Sequence, residues 1–190
     1  MRSLAPQAAR PVLTDTVAFT DPSRSGAGAR PLHRDVIPLS LEHRIAFRDL
    51  LLGLDAPSRL SRFACPLSDD GILQHMNYAT REAVWIAGLF AANELCGVVE
   101  LYECQEPEDI EAAFAVAGVW RRKGIGTALL FAAIGWARTS HRSRLRMMFS
   151  RHNWPMRRLA SKAEPQLDLD MEELVASVMV GEGCGADRLQ

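Results

Sequence analysis

Between Arg121 and Thr127 the chain reads Arg-Arg-Lys-Gly-Ile-Gly-Thr, a basic run followed by two glycines two positions apart. Glycine permits close backbone approach to a ligand, and the first N–H groups of a helix point outward without intrahelical partners. A helix starting at Gly124 would aim those donors and the positive end of its dipole at one point, a site suited to a diphosphate. Arg121, Arg122 and Lys123 add charge beside it. As pure structure the same cluster is unfavourable, because cations oppose the dipole at a helix N-terminus. A local rule broken in this way marks a site. The pattern Gly-x-x-x-x-Gly-Lys-Ser/Thr is absent, which excludes a P-loop. A dinucleotide turn would need a third glycine in the first βα unit, whereas this turn comes late and holds only Gly124 and Gly126.

Other reactive residue types form no comparable constellation. Cys65, Cys96, Cys104 and Cys184 make no C-x-x-C pair and have no zinc-ligand spacing with histidine, so no metal is expected. Neither Cys96 nor Cys104 has a basic neighbour to activate it, which argues against an acyl-cysteine route. The five histidines, His33, His43, His75, His141 and His152, show no mutual spacing of a triad. A formal net charge of −1 gives no general pull toward nucleic acid or an anionic membrane. No apolar run approaches the ~20 residues of a membrane span. Met1 to Pro31 lacks the apolar stretch of a secretory signal. With unpaired cysteines, these features point to the cytoplasm.

The chain is 190 residues long, with 48% hydrophobic and 24% charged residues, enough for one domain with an apolar core. Residues 1–30, rich in proline, arginine and serine, are expected to be disordered, residues 31–181 to form the domain, and 182–190 a loose tail. Val36, Ile37 and Leu39 suggest a first strand. Ser40 caps a helix through Leu54, with Leu41, Ile45, Leu50 and Leu52 as its apolar positions. Ser58 caps a short turn through Arg62, and Ser68-Asp69-Asp70 opens a second helix, with Ile72, Leu73, Met76 and Tyr78 inward. Ala83 to Phe90, Leu95 to Tyr102 and Glu111 to Val119 read as strands. A long helix runs from Gly124 to near Thr139 on a 3.6-residue rhythm. Leu145 to Ser150 is a strand, Pro155 begins a short helix to Lys162, and Val175 to Val180 closes an α/β domain around a central sheet.

At Arg121, Gly124 and Gly126 the chain resembles the GNAT superfamily of acyl-CoA-dependent N-acetyltransferases, whose marker is Arg or Gln, two residues, Gly, one residue, then Gly or Ala. Ala112 to Val116, Trp120, the run Gly124 to Leu130, and Asn153 to Lys162 fit the same pattern. Leu54 to Arg59, with Arg62-Phe63 and Leu67-Ser68-Asp69, resembles the branch that includes bacterial protein-lysine acetyltransferase domains.

The resemblance implies a mixed, mostly antiparallel sheet whose fourth and fifth strands splay apart to admit the pantetheine arm of acetyl-CoA. It implies that the Glu111–Val119 strand presents backbone groups to that arm near Ala115, Ala117 and Val119, with the Ala115 N–H facing the thioester carbonyl. The turn Arg121, Arg122, Lys123, Gly124, Ile125, Gly126 and Thr127 would hold the diphosphate, with Asn153 near the arm. Glu111, ten positions before Arg121, would be the general base that deprotonates an amine acceptor. Two departures stand out. No tyrosine lies near Ala160, where many relatives place a general acid, and Ala163-Glu164-Pro165 replaces a usual Gly-Phe pair. These leave a second reading open, a non-catalytic acyl-CoA sensor. Trp154 is expected to pack, the run Arg138 to Arg146 to be solvated or to reach an adenosine phosphate, and a homodimer is compatible with the pattern.

Overall fold

The computed structural model describes residues 35–170 and 173–180; the extension and tail expected at the two ends fall outside these residues. Seven strands form one sheet: β1 (Val36–Pro38), β2 (Ala83–Ala91), β3 (Glu94–Glu103), β4 (Asp109–Val116), β5 (Arg144–Ser150), β6 (Gln166–Asp170) and β7 (Glu173–Met179). Their order is β1-β2-β3-β4-β5-β7-β6, and every adjacent pair is antiparallel except β4–β5. The helices are α1 (Arg44–Leu52), α2 (Ala56–Phe63), α3 (Asp69–Glu82), α4 (Ile125–Thr139) and α5 (Trp154–Ala160).

Period-2 side-chain alternation divides the sheet's interior into two layers. On one face, Val99, Leu101, Ile110, Ala112, Leu145 and Met147 pack against α4. That helix is apolar on most of its surface and turns Ile125, Leu129, Leu130, Ala133, Ile134 and Ala137 inward, all buried. On the other face, Val98 and Ala115 meet Phe47, Leu50 and Leu51 of α1 and Ile72, Met76 and Ala79 of α3. The inward stripe of α3 is therefore 72, 76 and 79, and Leu73 and Tyr78 stay 41% and 50% exposed, contrary to the sequence expectation. Leu41 and Ile45 are likewise exposed, because α1 turns Phe47, Leu50 and Leu51 inward instead.

Two elements go beyond the sequence reading. Residues 56–63 form a full helix, α2, not a turn; Asp55 accepts the Ser58 N–H at 2.9 Å as its N-cap, and Pro57 sits in the first turn. Arg59 fastens α2 to its neighbours by donating to the carbonyls of Leu52, Leu54 and Leu67 and pairing with Asp69 at 2.7 Å. The strand β6, whose Gln-Leu-Asp-Leu-Asp alternates polar and apolar, completes the sheet edge against β7.

Gly97 on β3 sets how closely α4 approaches the sheet. A Cβ there would lie 2.9 Å from Ile125 Cγ2, 3.0 Å from the Ala115 carbonyl oxygen and 3.1 Å from Leu129 Cδ1. The absence of a side chain thus lets the first turn of α4 rest directly on the β3–β4 pair. Buried in the opposite layer is a charge, Glu100, fully excluded from solvent. Its Oε1 accepts from Arg62 Nη2 at 2.6 Å, and its Oε2 accepts from His75 Nε2 at 2.8 Å and from the Tyr102 hydroxyl at 2.5 Å. Burial alone would raise its pKa; the Arg62 guanidinium, followed by His75 and Tyr102, outweighs burial and holds the carboxyl at about 2.

Two outcomes follow from these contacts. Gly97→Val must push α4 off the sheet and should cost about 1–3 kcal/mol, read as a lower urea midpoint; an unchanged midpoint would show that α4 has slack. Because the folded value of Glu100 is depressed, its contribution is fully present above the ordinary 4.5 and is lost as pH falls toward about 2. Stability measured between those limits should therefore fall less steeply in Glu100→Gln than in the parent chain, and parallel curves would contradict the assignment.

Candidate active site

The central geometric fact is where β4 and β5 part. Their parallel register covers Asp109↔Arg144, Ile110↔Leu145 and Glu111↔Arg146 and stops there, although β4 continues to Val116. Beyond Glu111 the β5-facing edge of β4 is open. Which backbone groups face the opening follows from the other side of the strand. The Ala117 N–H donates to the Cys96 carbonyl at 3.0 Å, continuing the register Gly97↔Val116 and Val98↔Ala115. Hydrogen-bonded and non-hydrogen-bonded pairs alternate along an antiparallel ladder. Hence Glu111, Ala113, Ala115 and Ala117 direct their backbone groups to β3, while Ala112 faces the last paired residue of β5 and Phe114 and Val116 direct theirs into the opening.

This corrects the sequence expectation for two positions. The Ala115 and Ala117 amides belong to the β3 ladder and are not available in the cleft; Phe114 and Val116 hold that place. The sequence could not supply the phase, because the alternation carries no label saying which amides pair inward. Val119 differs as well: it lies in a 3₁₀ turn, Gly118–Trp120, with its side chain 72% exposed, because the strand ends at Val116 and the Trp120 N–H closes onto the Ala117 carbonyl at 2.9 Å.

The Gly-rich turn follows at once. Gly124 sits at φ 84° as the N-cap of α4, a left-handed conformation that favours glycine, and no side chain caps the helix. The N–H groups of Ile125, Gly126 and Thr127 are the first three of α4 and lack intrahelical acceptors. Gly126 faces Leu159 of α5, and a Cβ there would meet it at an ordinary 3.5 Å. The charged residues around the turn take different places. Lys123 Nζ lies 4.6 Å from the centre of the Trp120 ring, and Trp120 Nε1 is buried without an acceptor among the described residues. Arg122 is exposed and has φ 60°. Arg121 turns away from the helix: its Nε donates to the Val116 carbonyl at 3.3 Å and its Nη2 to Ser58 Oγ of α2 at 2.5 Å. Ser58 Oγ in turn donates to Asp55, whose pKa is lowered by the Ser58 hydroxyl and N–H and, more weakly, by Arg121. Lys162, just after α5, donates to Thr127 Oγ1 at 2.9 Å and so brings another cation to the first turn of α4. Sequence reasoning did not single out Lys162, which lies thirty-five residues away along the chain.

At the other end of the opening, Glu111 borders a cavity of about 460 Å³ together with Arg146, Met148, Val175 and the segment Glu103 to Glu106. The acids around it are spoken for. Glu103 pairs with Arg142 at 2.6 Å, Asp109 with Arg144 at 3.0 Å, Glu106 with Arg146 at 3.5 Å, and Glu108 accepts from Ser143 Oγ at 2.7 Å. Glu111, half-buried, has no ion pair or side-chain hydrogen bond among the described residues. The basic run Arg142 to Arg146 thus neutralises the acidic loop.

Of the remaining residues only Asn153 is expected near the arm, Trp154 being expected to pack. Asn153 uses its Oδ1 to accept the Met156 N–H at 3.1 Å and caps α5, which commits the acceptor half of its side chain to that helix. Trp154 is 63% exposed with Arg157 over its ring, so it does not pack in the core. Tyr102 gives its hydroxyl to Glu100, and burial followed by the Glu100 charge raises its pKa, so it is no acid for a leaving group. Burial and the nearby Glu111 charge also raise the Cys104 thiol, which keeps it protonated at neutral pH. Among the described residues no group of His, Cys, Asp and Glu is placed to hold a metal ion, and no helix is long and apolar enough to cross a membrane.

Comparison with known proteins bears on this geometry. The model of the Acetyltransferase (GNAT) family matches residues 54–162, more than half of the chain. No curated protein matches the sequence. Solved structures resemble the fold: the GNAT domain of S. lividans PAT at TM-score 0.66 and 15% identity, covering 77% of this chain and 90% of that one. An acetyl transferase of Salmonella typhimurium that modifies the N-terminal serine of ribosomal protein L7/L12 superposes at TM-score 0.62 and 15% identity, over 76% of this chain and 94% of that one. The PaiA N-acetyltransferase of Thermoplasma acidophilum, in complex with coenzyme A, gives 0.59 and 16% identity over 76% and 97%. With a sheet that is antiparallel except where β4 and β5 part, and an uncapped helix at the Gly-rich turn, the chain belongs to the GNAT family of acyl-CoA-dependent N-acetyltransferases.

Proposed function

We propose that the chain binds acetyl-CoA along β4 and the Gly124 turn and transfers the acetyl group directly to a primary amine, a protein lysine or a small molecule, that is deprotonated at Glu111. The observation that carries this reading is the opening between β4 and β5, which joins an uncapped helix N-terminus at one end to an unpaired carboxylate at the other. The residues fit the co-substrate. The first N–H groups of α4 suit a diphosphate, with Arg122, Lys123 and Lys162 close enough to add charge. The open amides of Phe114 and Val116 repeat at the strand spacing and suit an amide-bearing chain running alongside as an extra strand would. The neighbour that holds coenzyme A has the same fold.

The co-substrate supplies an acetyl thioester; the chain's own groups do the rest. One open N–H of β4, that of Phe114, is fixed by the β3 ladder and donates to the thioester carbonyl oxygen as negative charge gathers there. A donor held in place before the reaction needs no reorganisation when that charge develops. The acceptor arrives as an ammonium, which cannot attack until it loses a proton. Glu111, free of ion pairs and facing the cavity, accepts that proton directly or through a water. The nitrogen lone pair then forms the new C–N bond as the C–S bond breaks, and the nitrogen gives up its second proton to solvent to leave the neutral amide. The thiolate takes a proton from solvent or from protonated Glu111, since Tyr102 is committed to Glu100 and Ser161 Oγ to the Arg158 carbonyl. We place this activity in the cytoplasm, with residues 31–181 as the catalytic domain.

An acyl-CoA sensor would share the turn but would have no use for an unpaired acid at the acceptor end, and Glu111 favours the enzyme. Glu111→Gln should lower turnover at neutral pH by about 10²-fold or more while calorimetric CoA affinity stays unchanged; equal rates would remove its role as base. Gly124→Val forces a β-branched residue to φ 84°, a strain of about 1–3 kcal/mol, and should weaken CoA binding. Gly126→Ala, whose Cβ only touches Leu159, should leave binding nearly intact. The reverse order of effects in calorimetry would place the diphosphate elsewhere.

A further inference from the structure

Helix α2 has no buried residue of its own. It nevertheless packs against both β4 and β5, the two strands that part, and so lies across the opening on the sheet face that carries Glu111. Phe63 alone of its large apolar side chains packs, partly buried, against the core beneath, so little area removed from water holds the helix. Polar clamps hold α2 at its two ends. Near its N-terminus Ser58 receives Arg121, and in its last turn Arg62 reaches Glu100. The Glu100 end is the deeper one. Arg62 is 11% exposed, and the same carboxylate binds His75 of α3, whose ring meets Phe63 of α2 edge-on at 4.9 Å. Glu100 therefore fixes two helices at once.

The placement relative to the cleft is equally specific. Across the β3–β4 register Glu100 stands opposite Ala113 and Tyr102 opposite Glu111, all on one face. Tyr102 stacks on Tyr78 at 5.8 Å, so α3 is tied to the residue next to the proposed base. A buried ion pair often adds no more stability than apolar residues of the same volume, and its hydrogen-bond geometry favours one orientation of the groups it joins. Arg62 Nε, buried and without a partner among the described residues, shows that the pair is held at some cost to hydrogen bonding.

We propose that Glu100 is a positioning residue for the acetyl acceptor: through Arg62 and His75 it ties α2, which lies across the opening, to α3, which packs on β2 and β3, and so selects which amines reach Glu111. This rests on the reading of that face as the acceptor side. The test compares the parent chain with Glu100→Gln, with Arg62→Lys, and with the double change Glu100→Leu and Arg62→Met, which refills the volume without charge. Each is assayed for CoA affinity by calorimetry, for kcat and KM with primary amines of increasing bulk, and for hydrogen exchange of residues 56–63.

The double variant is expected to fold and to bind CoA as the parent does, with faster exchange in α2 and an acceptor KM raised about tenfold, its preference among amines flattened. Arg62→Lys, which keeps a cation opposite Glu100, should retain part of the preference. If the double variant does not fold, the same split in Glu100→Gln decides. A folded variant with parental acceptor KM, preference and α2 exchange overturns the inference, as does a loss that falls equally on CoA affinity and acceptor KM. A parent chain that binds CoA but acetylates no amine sinks the enzyme reading itself, a result separate from unaltered selectivity in an active double variant.

Discussion

A strand that leaves its neighbour must give its backbone groups something else to bind. β4 is bonded to β3 along its whole length, but to β5 only as far as Glu111. Amides and carbonyls on the open side, at Phe114 and Val116, lie between two elements of one sheet with no strand to pair them. Unpaired backbone groups in such a place cost free energy comparable to a lost hydrogen bond, so the opening persists only where water or a ligand completes it. The protein itself completes one position: the Val116 carbonyl takes Arg121 Nε. Everything chemically interesting in the molecule lies along this gap.

Its two ends have opposite character. At the α4 end, the left-handed Gly124 and the absence of a capping side chain leave a helix dipole open to an anion, with basic residues gathered from the turn and from beyond α5. At the Glu111 end, acids and bases have largely cancelled, and among the described residues one carboxylate, Glu111, remains without a counter-ion. The gap is thus electrostatically asymmetric, cationic at the α4 end and acidic at the Glu111 end. Gly97 holds this arrangement in register, because it lets α4 rest on the same β3–β4 pair that orients the open amides.

The helical layer on the Glu111 face is held differently from the α4 layer. α4 is secured by a continuous apolar stripe, while α2 depends on arginines: Arg59 on three carbonyls, Arg62 on Glu100, and Arg121 on Ser58. Directional contacts fix orientation through hydrogen-bond geometry, whereas apolar packing is non-directional and fixes it through shape.

The sequence by itself determined much of this. The Gly124-x-Gly126 turn between a strand and a long helix, the inward stripe of α4, and the order of strands around the turn are local patterns, because spacing along the chain fixes which face a residue occupies. Glu111 could be singled out because the family's acid lies at a fixed distance from the turn. The sequence also showed that tyrosine is absent near Ala160. Only tertiary structure decided which β4 amides face the gap, since the phase of an antiparallel ladder depends on a contact, Ala117 to Cys96, that no local pattern encodes. The same holds for Lys162 at Thr127, and for Glu100, which looks like one polar residue in an apolar strand until helices from elsewhere bring Arg62 and His75 to it. Local periodicity writes the elements; the partners of a buried charge or of an open strand edge come from chain segments tens of residues away, and folding alone brings them together.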